Sequence, residues 1–227
     1  MMTLNKSDYP LFFSGLFIKL ICGLFFASYF LTDLFVPFVE YFINSGFSDP
    51  YSHFLETGQK EAFPYPALML IILALPKLIF GWISDNQSFV LLLYRIPLLL
   101  CDITVFFILR SWISDISHRY LLWLYWLSPV LIYISFIHGQ LDVIPISLLV
   151  VALHFLFKAN LTKSALFFGL SLATKTMVII VLPFLILYFI KQKFNLKEII
   201  LFILFSSGNC ISIHAGPLVL LVVMANN

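Results

Sequence analysis

The segment FPYPALMLIILALPKLIF, Phe63 to Phe80, is apolar enough to cross a membrane, and whether it does so decides the fold. It carries Pro64, Pro66 and Pro76, with Lys77 near its end. A proline inside a helix removes one backbone hydrogen bond and crowds the preceding turn, so this segment reads as a re-entrant or flat interfacial helix. Other apolar runs surround it, at 11–30, 89–109, 120–137, 142–157, 164–190 and 198–222, the segment itself filling 65–83. In hydrocarbon every backbone polar group must be satisfied within its own segment, so each run reads as helical. The run 164–190 is longer than a bilayer core of about 30 Å requires. The sequence ATKTM interrupts it near Lys175, which predicts two short helices meeting at a protein-lined joint.

Composition agrees with a membrane environment. Of 227 residues, 62% are hydrophobic and only 11% charged, and 26 are phenylalanine. A soluble domain of this length cannot hide so much apolar surface, so the class is a polytopic membrane protein. The expected fold is all-α: a single transmembrane bundle, 1–227, of about seven spans. Its first span is 11–30, its outer loop with interfacial helices is 31–88, and its remaining spans occupy 89–222. The first apolar run lacks a basic leader beyond Lys6 and a small-residue cleavage site, so it reads as a retained span. A formal charge of +2, with basic residues scattered along the chain, gives no reason to expect nucleic acid. Cys22, Cys101 and Cys210 lie within apolar runs and read as small buried side chains, as do the isolated His154 and His214.

Charge sets the expected topology. Arg110 and Arg119, Lys158 and Lys163, then Lys191, Lys193 and Lys197 mark one set of connections, which the positive-inside rule assigns to the cytoplasm. Lys6 belongs on that side too, so the first span runs outward and 65–83 does not cross. The alternative lets 65–83 span and places the N-terminus outside, at the expense of Lys6 alone.

Four polar features interrupt the apolar pattern. Five of the eleven acidic residues fall between Asp33 and Glu61, directly after the first span. There Thr32 or Asp33 is expected to cap a short helix whose face Leu34, Phe35, Phe38 and Phe42 lies on the membrane surface. In YRIPLLLCDITVFF, Arg95 and Asp102 are two turns apart on one helix face, and a charge at the depth of Asp102 is costly unless paired. The stretch ISFIHGQLDVIP, Ile134 to Pro145, places His138, Gln140 and Asp142 at a connection that Gly, Asn or Ser would satisfy. Lys175 is the fourth, at the helix break. No carboxylate or histidine cluster has metal-ligand spacing, and no cofactor is expected.

Taken together these stretches resemble the GT-C glycosyltransferases, multi-pass membrane enzymes that take sugars from polyprenyl phosphate. The nearest look is to the N-glycan glucosyltransferases, the first mannosyltransferase of GPI-anchor assembly and bacterial relatives. Asp33 in FLTDLF matches the acidic residue after the first span, and PYPALM a Y-P-P-like motif. Arg95 with Asp102, the HGQLD turn, and GLSLATK before LPF match further motifs in order. The resemblance implies a membrane transferase moving a hexose, mannose or glucose, to an acceptor hydroxyl on the non-cytoplasmic face. Asp33 would be the catalytic base. Arg95 and Lys175 would hold the leaving phosphate, ahead of Lys60 and Lys77, and His138, Gln140 and Asp142 would line the cleft, with Glu40 as a further substrate contact. Implied partners are a polyprenyl-phosphate sugar donor, a lipid-linked or other glycan acceptor and the lipid bilayer. A bacterial inner membrane is a better match than endoplasmic reticulum. Such enzymes usually run well past this length, and SSGNCISIHAGPLVLLVVMANN carries no family feature, so a C-terminally truncated chain is expected. A transporter or lipid flippase is the main rival, since it too places charges and a broken helix in the membrane. It predicts an internal repeat that the sequence lacks. A purely structural membrane subunit is the third reading.

Overall fold

A computed structural model of the chain describes residues 4–59, 61–113 and 118–208. Lys60, Cys210 and His214 lie outside the described residues, as does the end of the 198–222 run. Every regular element among the described residues is a helix. Two are long and apolar enough to cross a membrane, Lys6–Phe25 with 20 residues and Gln87–Trp112 with 26. A third is available if His118–Trp126 and Pro129–Ile137, bent by 41° at their junction, form one span. The other apolar helices, Ala67–Ile83, Val143–Phe157, Leu161–Thr174 and Thr176–Lys191, are shorter. The all-α class is therefore present with two or three span-length helices, and the other expected spans fall on these shorter helices and on 198–222. The chain packs as two compact units, one made of Met1–Pro64 with Ile72–Val143 and the other of Tyr65–Ile71 with Ile144–Asn227.

In the first unit, helices α1 (Tyr9–Phe25) and α5 (Gln87–Trp112) are antiparallel neighbours. Four contacts step along them in opposite directions. Asp8 pairs with Arg110 at 3.5 Å, Lys19 with Asp102 at 2.6 Å, a Cβ on Gly23 would meet the Arg95 side chain at 2.9 Å, and Arg95 bonds the Phe26 carbonyl at 2.8 Å. The connection 27–86 thus leaves and returns at one end of the pair. It contains α2 (Val36–Asn44), α3 (Pro50–Glu56) and α4 (Ala67–Phe80).

The third element runs parallel to α1. It starts with α6 (His118–Leu121), winds more loosely as a π segment over Leu122–Trp126, restarts at Pro129 as α7 (Pro129–Ile132) and ends as a second π segment, Tyr133–Ile137. Proline at the first position of α7 cannot donate to the preceding turn, which accounts for the bend at Leu127–Ser128. Phe12, Phe106, Leu122 and Trp126 form the core joining the three elements. Phe12 and Trp126 stack at 4.6 Å, and the indole N–H donates to the Phe12 carbonyl at 2.8 Å.

The second unit packs α8 (Val143–Phe157), α9 (Leu161–Thr174), α10 (Leu182–Lys191) and α11 (196–208) around Ala152, Leu156, Ala165, Phe168, Leu185, Phe189 and Phe202. The Ser171 hydroxyl donates to the Pro145 carbonyl at 2.7 Å, fixing α9 against the start of α8. The helix does break at Lys175, whose extended backbone (φ −156°, ψ 112°) separates α9 from a tight 3-10 stretch, Thr176–Val181.

Candidate functional site

At the end of α1 the chain unwinds for three residues. Phe26 is extended (φ −117°, ψ 138°), and a π segment, Phe30–Phe35, then leads straight into α2. Thr32 and Asp33 therefore sit inside the first turn of this helix and do not cap it, as the sequence had suggested. No side chain caps this start; the Ser28 backbone carbonyl accepts the first helical bonds, from Leu31 N at 3.0 Å and Thr32 N at 3.1 Å. Asp33 is exposed, in the first turn, where the exposed N–H groups of a helix favour a negative charge. The Thr32 hydroxyl donates to its carboxylate.

The polar turn stands beside this restart. The Ser28 hydroxyl donates to the His138 carbonyl, and the Phe30 and His138 rings meet edge to face at 5.6 Å. Gly139 has φ +78° and is buried against Leu31 and Arg95, where a Cβ would lie 3.4 Å from Leu31 and 3.7 Å from Arg95 Nη2. Only glycine enters that backbone region without strain, so the close approach of turn and helix depends on it. Gln140 is exposed and Asp142 and His138 are half-buried around the same turn.

Beneath both segments lies Arg95, 2% exposed. Its Nε donates to the Phe136 carbonyl at 3.0 Å, Nη2 to the Phe26 carbonyl at 2.8 Å and Nη1 to the Leu91 carbonyl at 3.4 Å. Asp102, which the sequence grouped with Arg95, pairs with Lys19 instead. Both are buried, Lys19 Nζ also lies 3.3 Å from the centre of the Trp126 ring, and the Tyr125 hydroxyl bonds the same carboxylate. Sequence reading missed Lys19. A lysine midway along the first span, matched by an aspartate midway along a later one, is the signal that could have found it.

Glu40 is engaged within the first unit, accepting from Tyr94 Oη at 3.0 Å, Lys77 Nζ at 3.3 Å and Asn44 at 3.4 Å. These contacts tie α2 to α4 and α5. Of the apolar face expected to rest on the membrane surface, Phe35 and Phe38 are covered by protein, whereas Leu34 and Phe42 are half-buried: Phe35 and Phe38 pack on Phe63, and Phe38 also meets Tyr51 and Phe54. Burial, with Asp49 nearby, pushes the Tyr51 phenol above its ordinary range. Lys175 belongs to the second unit, where its ammonium lies 5.7 Å from the Tyr65 ring. Among the described residues no group of three or more His, Cys, Asp and Glu is arranged to hold a metal ion.

The structure thus gathers Asp33, Arg95, His138, Gln140 and Asp142 in one unit. The helix restart bearing Asp33 and the turn touch each other, and both rest on Arg95. Exposed carboxylate and amide groups beside a buried cation suit a polyhydroxylated ligand and proton removal from a hydroxyl.

Comparison with known protein families gives a match. Residues 58–191, more than half of the chain, match the family model MptA_B, described as alpha-(1->6)-mannopyranosyltransferase, N-terminal domain. The matched stretch contains Arg95, the HGQLD turn and Lys175, whereas Asp33 and Glu40 precede it. No curated protein and no solved structure matches the chain.

Proposed function

Since the chain belongs to the MptA_B family of alpha-(1->6)-mannopyranosyltransferases, we propose that it transfers mannose from a polyprenyl-phosphate donor to an acceptor hydroxyl on the non-cytoplasmic face, as a GT-C enzyme. Glycosyl transfer and a membrane setting follow from the family and the apolar helices. A transporter is not favoured, because the family is one of sugar transferases.

One observation carries the reading: the helix restart that bears the exposed Asp33 and the His138–Asp142 turn occupy the same end of the α1–α5 pair, joined by the Ser28 hydroxyl, which donates to the His138 carbonyl. In the reaction the acceptor oxygen forms a bond to the anomeric carbon of mannose as the bond to the polyprenyl phosphate oxygen breaks. Asp33 takes the acceptor proton as that oxygen loses electron density, and the phosphate leaves with the electron pair. Gln140, Asp142 and His138 offer amide, carboxylate and imidazole groups to sugar hydroxyls. The membrane boundary excludes part of the water, which strengthens these interactions. The face is assigned by the positive-inside rule, since Arg110 lies at the other end of α5 and Arg119 at the start of the third element, whose far end leads into the turn.

The experiment is transfer from polyprenyl-phosphate mannose by the purified chain in lipid, with Asp33→Asn as the variant. Transfer is expected to vanish in Asp33→Asn while membrane insertion and the unfolding midpoint stay at wild-type values. Turnover by the variant at the wild-type rate would remove Asp33 from the mechanism.

A further inference from the structure

Among the described residues Arg95 is a charge without a carboxylate: its side chain forms no ion pair, although it is almost wholly enclosed. A buried guanidinium is costly unless its charge and donors are met. Its two partners outside α5 explain how this cost is offset. The Phe26 carbonyl is the C-cap of α1, and the Phe136 carbonyl lies in the last turn of the π segment Tyr133–Ile137. Carbonyls at those positions have no partner within their own helix, and each helix C-terminus carries roughly half a negative charge. Two such ends converging on one guanidinium supply about one unit of counter-charge, without a carboxylate. The planar fork of arginine reaches both carbonyls at once, which an ammonium cannot do with the same geometry.

The two carbonyls also mark the two halves of the candidate site. Phe26 opens the three-residue unwinding that leads to Asp33, and Phe136 stands two residues before His138. Gly139 closes the arrangement from above, against Leu31 and Nη2 of Arg95. We infer that Arg95 is a positioning residue, a clamp that holds the base-bearing helix restart and the polar turn in register, rather than a direct ligand of the donor phosphate. The inference that this register serves transfer rests on the proposed function, whereas the clamp itself does not.

The test separates the two. In a chain whose native cysteines are replaced by alanine, Phe30→Cys and His138→Cys are cross-linked in membranes with a short bis-thiosulfonate, with Arg95 intact and as Arg95→Met or Arg95→Lys. Efficient cross-linking with Arg95 intact and a clear fall in both variants is the expected result. Unchanged cross-linking in the variants overturns the clamp, whatever the activity shows. Arg95→Lys keeps the charge without the fork, and it carries the comparison if Arg95→Met does not accumulate in membranes. In parallel, transfer is measured with the same Arg95 variants in the otherwise wild-type chain. There kcat is expected to fall by about a hundredfold, the cost of displacing a reacting group by an ångström, with donor KM little changed and lysine giving no rescue. A raised donor KM at unchanged kcat, or rescue by lysine, overturns the positioning role in favour of a phosphate contact. No transfer by the unsubstituted chain, with cross-linking still dependent on Arg95, would count against the proposed function and leave the clamp standing.

Discussion

Two buried cations on neighbouring helices behave differently because their partners differ. Lys19 is satisfied by a carboxylate on another helix and by the face of Trp126, whereas Arg95 is satisfied by helix-end carbonyls. Breaking a buried ion pair by removing one partner leaves the other charge stranded and costs about 3–5 kcal/mol, whereas replacing both with apolar groups of similar size is often neutral or better. Lys19→Met alone is therefore expected to lower the unfolding midpoint in detergent sharply, and Lys19→Met with Asp102→Leu to restore most of the loss. A double variant as unstable as the single one would show that the pair contributes more than mutual neutralisation. The sequence displays Asp102 as a charge in need of a partner, and it is buried and paired, but the sequence suggests Arg95 as its companion because the two share a face of one helix. Which of several cations meets a carboxylate depends on helix pairing, and periodicity along one segment does not contain that information.

At the scale of elements, the apolar runs and their breaks are legible. The interruption at Lys175 follows from ATKTM, and Pro129 accounts for the bend in the third element. The winding at the site is not legible. Three π segments, Phe30–Phe35, Leu122–Trp126 and Tyr133–Ile137, replace the regular 3.6-residue repeat, and two of them adjoin the candidate site. Because FLTDLF is already helical from Phe30, Thr32 and Asp33 lie inside the helix and no side chain caps its start. Hydrophobicity alone cannot distinguish lipid from the aromatic side chains of Tyr51, Phe54 and Phe63 that cover Phe38. Helix pairing itself rests on small residues. A Cβ on Gly15 would sit 2.4 Å from Trp126 Nε1 and 2.6 Å from Cδ1. Gly15→Ala is thus expected to push the indole from its bond to Phe12 and to destabilise the unit by about 1–3 kcal/mol, as overpacking does. The unfolding midpoint checks this, and an unchanged value would mean that α1 shifts freely against the π segment.

At the scale of the whole molecule, the all-helical class is visible in composition. The pairing of helices is not, and it is the antiparallel run of Asp8–Arg110, Lys19–Asp102 and Phe26–Arg95 that returns the connection 27–86 to the end from which it left. The family match covers the turn and stops short of Asp33, so the union of carboxylate and turn rests on geometry alone. Its most direct test is sidedness. In a cysteine-free chain, Tyr29→Cys, Gln140→Cys and Arg119→Cys, all at exposed positions, are made singly and treated in intact cells with a membrane-impermeant maleimide. Positions 29 and 140 are expected to label from outside, and position 119 only after the membrane is permeabilised. Labelling of 29 and 140 from opposite sides would contradict a shared site and end the proposal built on it.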